Sequence, residues 1–514
     1  MAAVDAGPSP ALAPVPRRAY LISLLLAAIM LAAAILDLRP TYWVAGISGV
    51  LLLMATYRWF TQWHVMVGGI FLIVLWVPIG RYGLPITLPF QLEPYRAMVG
   101  VVAIAWVTTM LAEPKKLPLR PSGLRGPLLF LWIVIAAGVA SNIGTIQARG
   151  VMMDVLFKIS FLASYIVVML LIGNVIRTRQ DIDRAIKILM FGGAVVGFFT
   201  LVENKTGFNV FNHLQQVIPI FRFDPSQVPT YLEQRGSGNR VMASAQHPIA
   251  LGTALATLLP LGLYLGFRTK SYFWWGCVGM IALGVLTTVA RTAILMLIVE
   301  AITLACLKPA TVKRLWWAIL PFVLVVNIAV PSTLGTIKAS FFPEGGLVAQ
   351  QNTNPGGDAS NRVSDIGPSL HEAKATPFFG QGWGTRVPAK LDPAKTRRYL
   401  DDQWLGLVLE AGYFGFIAFI WFFGRNVRLL GGAALRDQSS HGWLLAGLAA
   451  SIFGFAIGMA TYDAFGFPQA TLLMYIMCGL GIAARRLPAL DDNPGGAKPK
   501  AEKAAPQLEL LATR

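Results

Sequence analysis

Apolar blocks separated by short polar segments recur along most of the chain and form its dominant pattern. A block of this length crosses a bilayer core of about 30 Å as an α-helix. The pattern predicts an all-α, polytopic membrane protein with about 14 transmembrane helices. The predicted helices lie at about 19–36, 41–57, 64–80, 96–112, 126–142, 154–174, 185–202, 247–266, 272–289, 292–307, 315–333, 403–424, 442–461 and 467–484.

Two long polar stretches interrupt this alternation. Loops of such length without obvious periodicity are uncommon unless they are functional or disordered. We interpret the larger one as functional and expect its chemistry at the membrane surface. The predicted segments are a tail at 1–18, seven helices within 19–202, a first loop at 203–246, four helices within 247–333, a large loop at 334–402, three helices within 403–484, and a disordered tail at 485–514.

Charge assigns the two sides of the membrane. The formal net charge of +18 would suggest nucleic-acid binding in a soluble protein, but 55% of the residues are hydrophobic and only 13% are charged. Lysine and arginine concentrate in the short loops on one side, which the positive-inside rule assigns to the cytoplasm. Both termini are then cytoplasmic and both long loops are extracytoplasmic. No cleavage site follows the first block, so we expect an uncleaved first helix.

Arginines in the two outer loops and at the adjacent helix ends are the candidate binding residues. A guanidinium offers a planar fork of donors that suits phosphate. Arg291 stands in a turn too short to be a loop, at a depth where a charge is costly and usually functional. Arg240 precedes the helix that starts near His247, a residue that we expect to cap the helix or to pack at an interface. The outer arginines are Arg222, Arg235, Arg240, Arg291, Arg362, Arg386, Arg397 and Arg398.

Four short motifs occur in a fixed order. They are Arg240 followed by a His-Pro and a Leu-Gly helix, Thr-Val-Ala-Arg291, Arg362 placed fifteen residues before Pro377-Phe-Phe-Gly-Gln-Gly, and Asp401-Asp402 followed by Leu405, Glu410, Gly412 and Gly415. Together they resemble the O-antigen ligase and O-antigen polymerase superfamily of bacterial integral membrane glycosyltransferases. The resemblance covers roughly residues 235–415.

The resemblance implies transfer of a saccharide from a polyprenyl-diphosphate carrier, such as undecaprenyl diphosphate, to a sugar or glycolipid acceptor. The reaction would take place on the outer face of the bacterial plasma membrane. Arg240, Arg291 and Arg362 would hold the diphosphate as charge develops on it. Arg235 would assist in substrate binding, and Gly380 and Gly382 would allow the backbone to approach the sugar closely.

The acceptor-activating residue is the point at which this sequence departs from the family. Lipopolysaccharide ligases have histidine and asparagine where this chain has Asp401 and Asp402. A carboxylate can deprotonate a hydroxyl, although an ordinary pKa of about 3.9 makes it a weak base. We expect Asp401 to activate the acceptor and Asp402 to bind substrate. His371, beside Glu372 in the large loop, is the alternative base.

No cofactor is predicted. The chain contains no P-loop or dinucleotide fingerprint and no closely spaced His/Cys or Asp-x-Asp set in the outer loops. Cys277, Cys306 and Cys478 all lie in apolar blocks and indicate neither a disulfide framework nor a metal site. The expected partners are the lipid-linked donor, a saccharide or glycolipid acceptor and membrane lipid, with no nucleic acid.

Two other classes stay open at this point. A transporter or flippase of lipid-linked saccharide would share the helix number, although such proteins commonly have repeated halves, broken helices and charges near the midplane. This sequence shows no internal repeat, and most of its candidate residues are at one face of the membrane. A non-catalytic scaffold of envelope assembly is the other alternative. Within the enzyme class, the sequence leaves polymerase and ligase undecided. Lys158, near the outer end of its helix, is expected to extend its amine to the membrane surface.

Overall fold

The computed structural model describes residues 62–85, 92–112, 117, 119–228, 234–235, 238–313, 324, 335, 365–387 and 400–487. These residues are mostly helical. The helices are α1 (Trp63–Trp76), α2 (Pro94–Ala112), α3 (Arg125–Ser141), α4 (Met152–Val175), α5 (Arg179–Thr206), α6 (Pro248–Thr269), α7 (Tyr272–Thr287), α8 (Arg291–Leu307), α9 (Ile366–Ala373), α10 (Gln403–Arg436), α11 (Ser440–Gly458) and α12 (Pro468–Ala484), with short helical turns at Ile143–Ala148 and Pro309–Val312.

Each predicted block that falls within the described residues is a helix. The blocks at about 19–36, 41–57 and 315–333 lie outside them, so the count of fourteen stays a prediction. Six of the described helices are long and apolar enough to cross a membrane. The chain is therefore a helical membrane protein.

Two predicted boundaries were wrong. The block at 185–202 begins earlier, at Arg179, because Thr178 and Asp181 form a reciprocal capping box that starts α5 among polar residues. The block at 403–424 continues to Arg436, which makes α10 a helix of 34 residues. Apolar periodicity missed both extensions because they carry charged side chains beyond the apolar core.

The last helix is the centre of the bundle. Every residue of α12 is buried, and it packs against α4, α6 and α11. A helix that is apolar all round is typical of such a central position. In contrast, α2 lies at the periphery and exposes Val101, Ile104 and Leu111, with relative exposures of 63%, 69% and 79%. Such a face suits contact with lipid rather than water.

The first outer loop is folded against the bundle where the structure describes it. A two-residue antiparallel ladder pairs Tyr82–Gly83 (β1) with Arg222–Phe223 (β2), and a second pairs Gln234–Arg235 (β3) with Gly238–Asn239 (β4). Arg81 is fully buried beneath this loop and donates hydrogen bonds to Asn212 Oδ1 at 2.9 Å and to the carbonyl of Ala243 at 3.2 Å. These contacts hold the chain that leads into α6.

Candidate active site

A cavity of about 570 Å³ opens at the end of the bundle where α4 and α10 begin. The loop between α11 and α12 closes one side of it, and the described end of the large loop closes another. Aromatic rings form much of its wall, among them Phe161, Tyr165, Trp383, Phe465 and Phe467. Aromatic faces joined to polar groups are the surface that a saccharide can use for both stacking and hydrogen bonding.

The polar lining of this cavity is rich in acid. The described lining contains six carboxylates and two cations. It therefore suits hydroxyl donors better than it suits an anion. The carboxylates are Glu93, Asp154, Asp401, Asp402, Glu410 and Asp463, and the cations are Lys158 and Arg386.

The sequence-predicted pair Asp401 and Asp402 lies in this lining. Asp402 is the N-cap of α10, where its Oδ1 accepts from the backbone N–H of Trp404 at 2.8 Å and of Leu405 at 3.2 Å. This cap satisfies two of the free donors at the helix start and fixes the chain there. Asp401 is thereby carried into the cavity by a rigid helix end.

Asp463 is a lining carboxylate that sequence reasoning missed. It starts the short turn Ala464–Gly466, and its Oδ1 accepts from the N–H of Gly466 at 3.2 Å. Its side chain is accessible from the cavity while protein surrounds it. Burial raises the pKa of Asp463, and so do the nearby charges of Glu410 and Asp401, whereas Lys158 lowers it. No motif marks this position, and only tertiary packing brings it beside residues that stand some sixty positions earlier.

The amine of Lys158 lies in the cavity, where it contacts Glu410. Its Nζ lies 3.3 Å from Glu410 Oε1 and 3.4 Å from the carbonyl of Arg386. The same Glu410 oxygen accepts from the backbone N–H of Arg386 at 3.2 Å. A buried carboxylate needs hydrogen-bond or charge partners. Lys158 is one such partner of Glu410. Glu410 thus has the structural hydrogen bonds expected of it.

Glu410 stands at a break in α10. Gly412 has φ +68° and ψ −172° inside the helix, and the turn segment at 377–382 hydrogen-bonds to the backbone that the break exposes. Gln381 N–H donates to the carbonyl of Leu409 at 2.8 Å, and Tyr413 N–H donates to that of Pro377 at 2.8 Å. The loop motif and the helix motif of the family resemblance therefore form one interlocked unit.

The glycines of the loop motif are explained by this unit. Gly380 has φ +67°, and a Cβ there would lie 2.5 Å from the carbonyl carbon of Glu410. Gly382 has φ +101° and approaches Ile146 and Thr385. The predicted approach of the backbone to the sugar stays a prediction, and the close approach that the structure shows is to the protein's own backbone and side chains. Neither glycine belongs to the described lining of the cavity.

The side chain of Arg240 contacts the turn at 288–290, which leads directly into Arg291. Arg240 is 6% exposed, and its Nε donates to the carbonyl of Thr288 at 3.4 Å. Arg291 is the first residue of α8, where a positive charge is unfavourable for the helix dipole. Val289 in the intervening turn has φ +47°, which is strained for a β-branched residue. Ala290 occupies the N-cap and provides no side-chain cap.

The turn at 288–291 adjoins the wall of the cavity. Thr292 Oγ1 lies 2.8 Å from Thr461 Oγ1, and Thr461 begins the chain that continues through Asp463 to Phe467. The centroid of the His247 ring lies 5.5 Å from that of Phe467, with the two rings tilted by 31°, and His247 Nδ1 accepts from Ile249 N–H at 3.1 Å. The capping prediction for His247 is confirmed. Neither Arg240 nor Arg291 belongs to the described lining.

The remaining candidates differ in their placement. His371 is exposed on α9, which packs on α10, and it is absent from the described lining. Arg362, Arg397 and Arg398 lie outside the described residues, and so does the side chain of Arg235. Arg386, one of the eight outer arginines, is buried, and its Nη1 forms a 2.7 Å ion pair with Glu372.

Comparison with protein families gives one match. Residues 275–420 match the model of a family described as O-antigen ligase. The match confirms the resemblance drawn from the motifs, and its range contains Arg291, the glycine loop and Asp401. Arg240, Lys158 and Asp463 lie outside the matched range and reach the site only through the fold. A search of curated proteins found no match to the chain.

Proposed function

Since residues 275–420 belong to the O-antigen ligase family, we propose that the protein is a membrane glycosyltransferase that uses a polyprenyl-diphosphate-linked saccharide as donor. The acceptor is a hydroxyl of a saccharide or glycolipid, and the reaction takes place on the outer face of the bacterial plasma membrane. The observation that carries the proposal is an acid-rich cavity, which contains Asp401, next to a cationic turn at 288–291, which ends at Arg291 and is contacted by Arg240.

The cationic turn is the diphosphate site in this proposal. A phosphate at the start of α8 would meet the guanidinium of Arg291 and the N–H groups of a helix N-terminus that has no side-chain cap. The same anion would offset the unfavourable position of Arg291 on the helix dipole. Arg240 adds a second guanidinium through the same turn. Arg362 and Arg235 are further phosphate ligands in the proposal, on the strength of the family resemblance.

The cavity is the acceptor site. Asp401 accepts the proton of the attacking hydroxyl, whose oxygen forms a bond to the anomeric carbon of the donor. The bond from that carbon to the diphosphate breaks, and the lipid diphosphate leaves with the bonding electron pair. Positive charge at the turn stabilises this leaving group as its charge grows. Asp402 orients the acceptor beside Asp401.

The distribution of charge supports the outer face. Basic residues of the predicted cytoplasmic loops, such as Arg120, Arg425 and Arg486, lie at the opposite end of α4, α10 and α12 from the cavity. If the positive-inside rule holds for this chain, the cavity faces the outside and both termini are cytoplasmic.

Transport of the lipid-linked saccharide is the second candidate, and the break in α10 favours it. Transporters commonly bind substrate at interrupted helices. The break in α10 is filled by the loop at 377–382 rather than left open to a passing substrate. The two functions also differ in outcome, because only transfer converts the donor into lipid diphosphate.

The test is donor turnover by the full chain in proteoliposomes. The donor is a short oligosaccharide on a polyprenyl diphosphate, supplied alone or with an envelope glycolipid acceptor, in the presence of a chelator and without nucleotide. We expect release of polyprenyl diphosphate together with a longer saccharide or a glycosylated acceptor. The first product identifies a polymerase and the second a ligase. Movement of intact donor across the bilayer without either product would contradict the proposal.

A further inference from the structure

Five arginines converge at the end of the bundle opposite the cavity. Arg120 precedes α3, Arg177 follows α4, Arg425 lies on α10, and Arg485 and Arg486 follow α12. Four separate segments therefore bring their charges to one place. This arginine cluster is remote from the proposed chemistry, and the proposed function does not use it.

The cluster is held together by backbone contacts. Arg486 donates from Nη1 to the carbonyl of Gly173 at 2.7 Å and from Nη2 to that of Pro121 at 2.6 Å. Arg425 Nε donates to the carbonyl of Gly123 at 2.5 Å. Gly123 has φ +78°, and a Cβ there would lie 3.3 Å from Arg485 Nη2. The guanidinium groups thus gather around the loop at 121–123.

The guanidinium groups raise one another's electrostatic energy. Burial, together with the neighbouring charges of Arg120, Arg485 and Arg177, lowers the pKa of Arg486 to about 10. Burial and the charge of Arg425 lower the pKa of Arg485. Among the described residues, every charge that perturbs these two arginines is another arginine. A bound anion would relieve this repulsion and would gain several charge-assisted hydrogen bonds.

Exposed apolar side chains beside the cluster indicate that such an anion is part of a lipid. Leu119 is 61% exposed, Leu129 on α3 is 64% exposed, and Trp421 on α10 is 43% exposed. Leu129 lies about one helical turn from Arg125, and Trp421 lies about one helical turn from Arg425. Both are displaced from the arginine toward the middle of the membrane. Tryptophan is enriched at the headgroup level of bilayers. An anion at the cluster would therefore have its acyl chains against an apolar surface.

We propose that the arginine cluster binds the phosphodiester headgroup of an anionic phospholipid at the cytoplasmic end of the bundle. The headgroup lies among Arg120, Arg425, Arg485 and Arg486, and the acyl chains lie along α3 and α10. The bound lipid joins the loop before α3 to the ends of α10 and α12. The site is distinct from the donor site, which lies at the other end of these helices.

The test measures thermal unfolding of the purified full chain in neutral detergent during titration with lipid. Three probes separate the sources of phosphate: phosphatidylglycerol, zwitterionic phosphatidylcholine, and glycerol phosphate without acyl chains. We expect phosphatidylglycerol to raise the unfolding temperature saturably and the other two to have little effect, because ligand that binds only the folded state stabilises it. Equal shifts with phosphatidylcholine, or with glycerol phosphate, would overturn the lipid assignment.

Variants locate the effect. The double variant Arg120→Gln/Arg485→Gln removes two charges and leaves the backbone contacts of Arg486 and Arg425 in place. Each basic residue near an anionic lipid contributes roughly a factor of five, so the apparent affinity for phosphatidylglycerol should fall by about 25-fold. Arg436→Gln, at the same end of α10 but outside the cluster, is the matched control and should retain wild-type affinity.

A conservative variant covers failure of the double variant to fold. Arg120→Lys/Arg485→Lys keeps the charge and loses the bidentate fork. Its affinity for phosphatidylglycerol should therefore lie between that of Arg120→Gln/Arg485→Gln and that of Arg436→Gln. Unchanged affinity in both double variants, or an equal loss in Arg436→Gln, would refute the cluster as the site.

Discussion

Asp401 and His371 are the two side chains that compete for activation of the acceptor, and their surroundings differ. Asp401 lines the cavity at the capped start of α10, whereas His371 is exposed on the short helix α9. We expect Asp401→Asn to abolish most turnover and to leave donor binding nearly intact, because the arginines still hold the diphosphate. Asparagine keeps the size of the side chain and removes the base.

His371→Ala is the matched comparison and should have a mild effect. Turnover and donor binding are measured separately for both variants at equal expression. An active Asp401→Asn together with an inactive His371→Ala would move the base to the histidine.

Asp463 makes the reaction sensitive to acid if its charge helps to orient the acceptor. Its pKa is raised mainly by burial, so on acidification it takes up its proton at a higher pH than an ordinary aspartate, which titrates near about 3.9. The ionised form is present above that raised pKa and is lost as the pH falls through it. We expect kcat/KM to decline over that range in the wild type.

Asp463→Asn should lower the activity and remove this part of the pH profile, while its amide oxygen can still accept from the N–H of Gly466. The measurement is kcat/KM against pH for both proteins. An identical acid limb in Asp463→Asn would show that another group is responsible.

At the residue scale, the sequence identified the residues that short motifs mark. It missed the contacts that only tertiary packing brings about. Asp401 could be predicted because it stands directly before a helix in a motif. The contact of Lys158 with Glu410 could not be predicted, because the two residues are 252 positions apart in the chain. Asp463 carries no local signal, since its neighbours in space come from α4 and α10.

At the element scale, the unit that positions the cavity is the broken α10 with the loop inserted at its break. Gly380 has φ +67°, and a Cβ there would lie 2.5 Å from backbone that cannot move aside. We expect Gly380→Ala to destabilise the protein by roughly 2–4 kcal/mol, from overpacking and left-handed strain together. Turnover should fall as well, because a shift of the loop would displace the hydrogen bond from Arg386 N–H to Glu410 at the cavity.

Gly424→Ala is the control on the same helix, because a Cβ at Gly424 has no neighbour within 4 Å. Thermal unfolding of the two variants provides the comparison. A Gly380→Ala protein as stable as Gly424→Ala would mean that the interlock does not determine the fold here.

Apolar periodicity predicted the existence of the described helices well and their ends less well. The apolar pattern reports which residues avoid water, so a predicted helix stops at its first charged residues. The helical turns that extend to Arg179 and to Arg436 were missed for this reason. The break at Gly412 could not be predicted, because a lone glycine within an apolar helix is compatible with an unbroken one. The segment that fills the break comes from the long polar loop, where periodicity carries no information.

At the scale of the whole molecule, the account depends on the side of the membrane that each end faces. Accessibility of engineered cysteines tests it, in a variant whose three native cysteines are replaced, since Cys306 is exposed. A membrane-impermeant thiol reagent applied outside intact cells should label positions within 345–360 and should leave 495–510 unlabelled until the cells are permeabilised. The reverse pattern would refute the topology and the outer-face site together.

The central claim is that Arg291 stabilises a departing diphosphate, and one comparison tests it most directly. Loss of a contact to a developing charge costs about 2.7–4 kcal/mol, a rate loss of about 10²–10³. In proteoliposomes with the polyprenyl-diphosphate donor, Arg291→Ala should lose turnover by that factor, and Arg291→Lys should recover only part of it because lysine lacks the planar fork. Arg428→Ala, which removes an exposed arginine of α10 that is not among the candidate binding residues, should turn over donor at the wild-type rate. Near-full activity of folded Arg291→Ala would contradict the account.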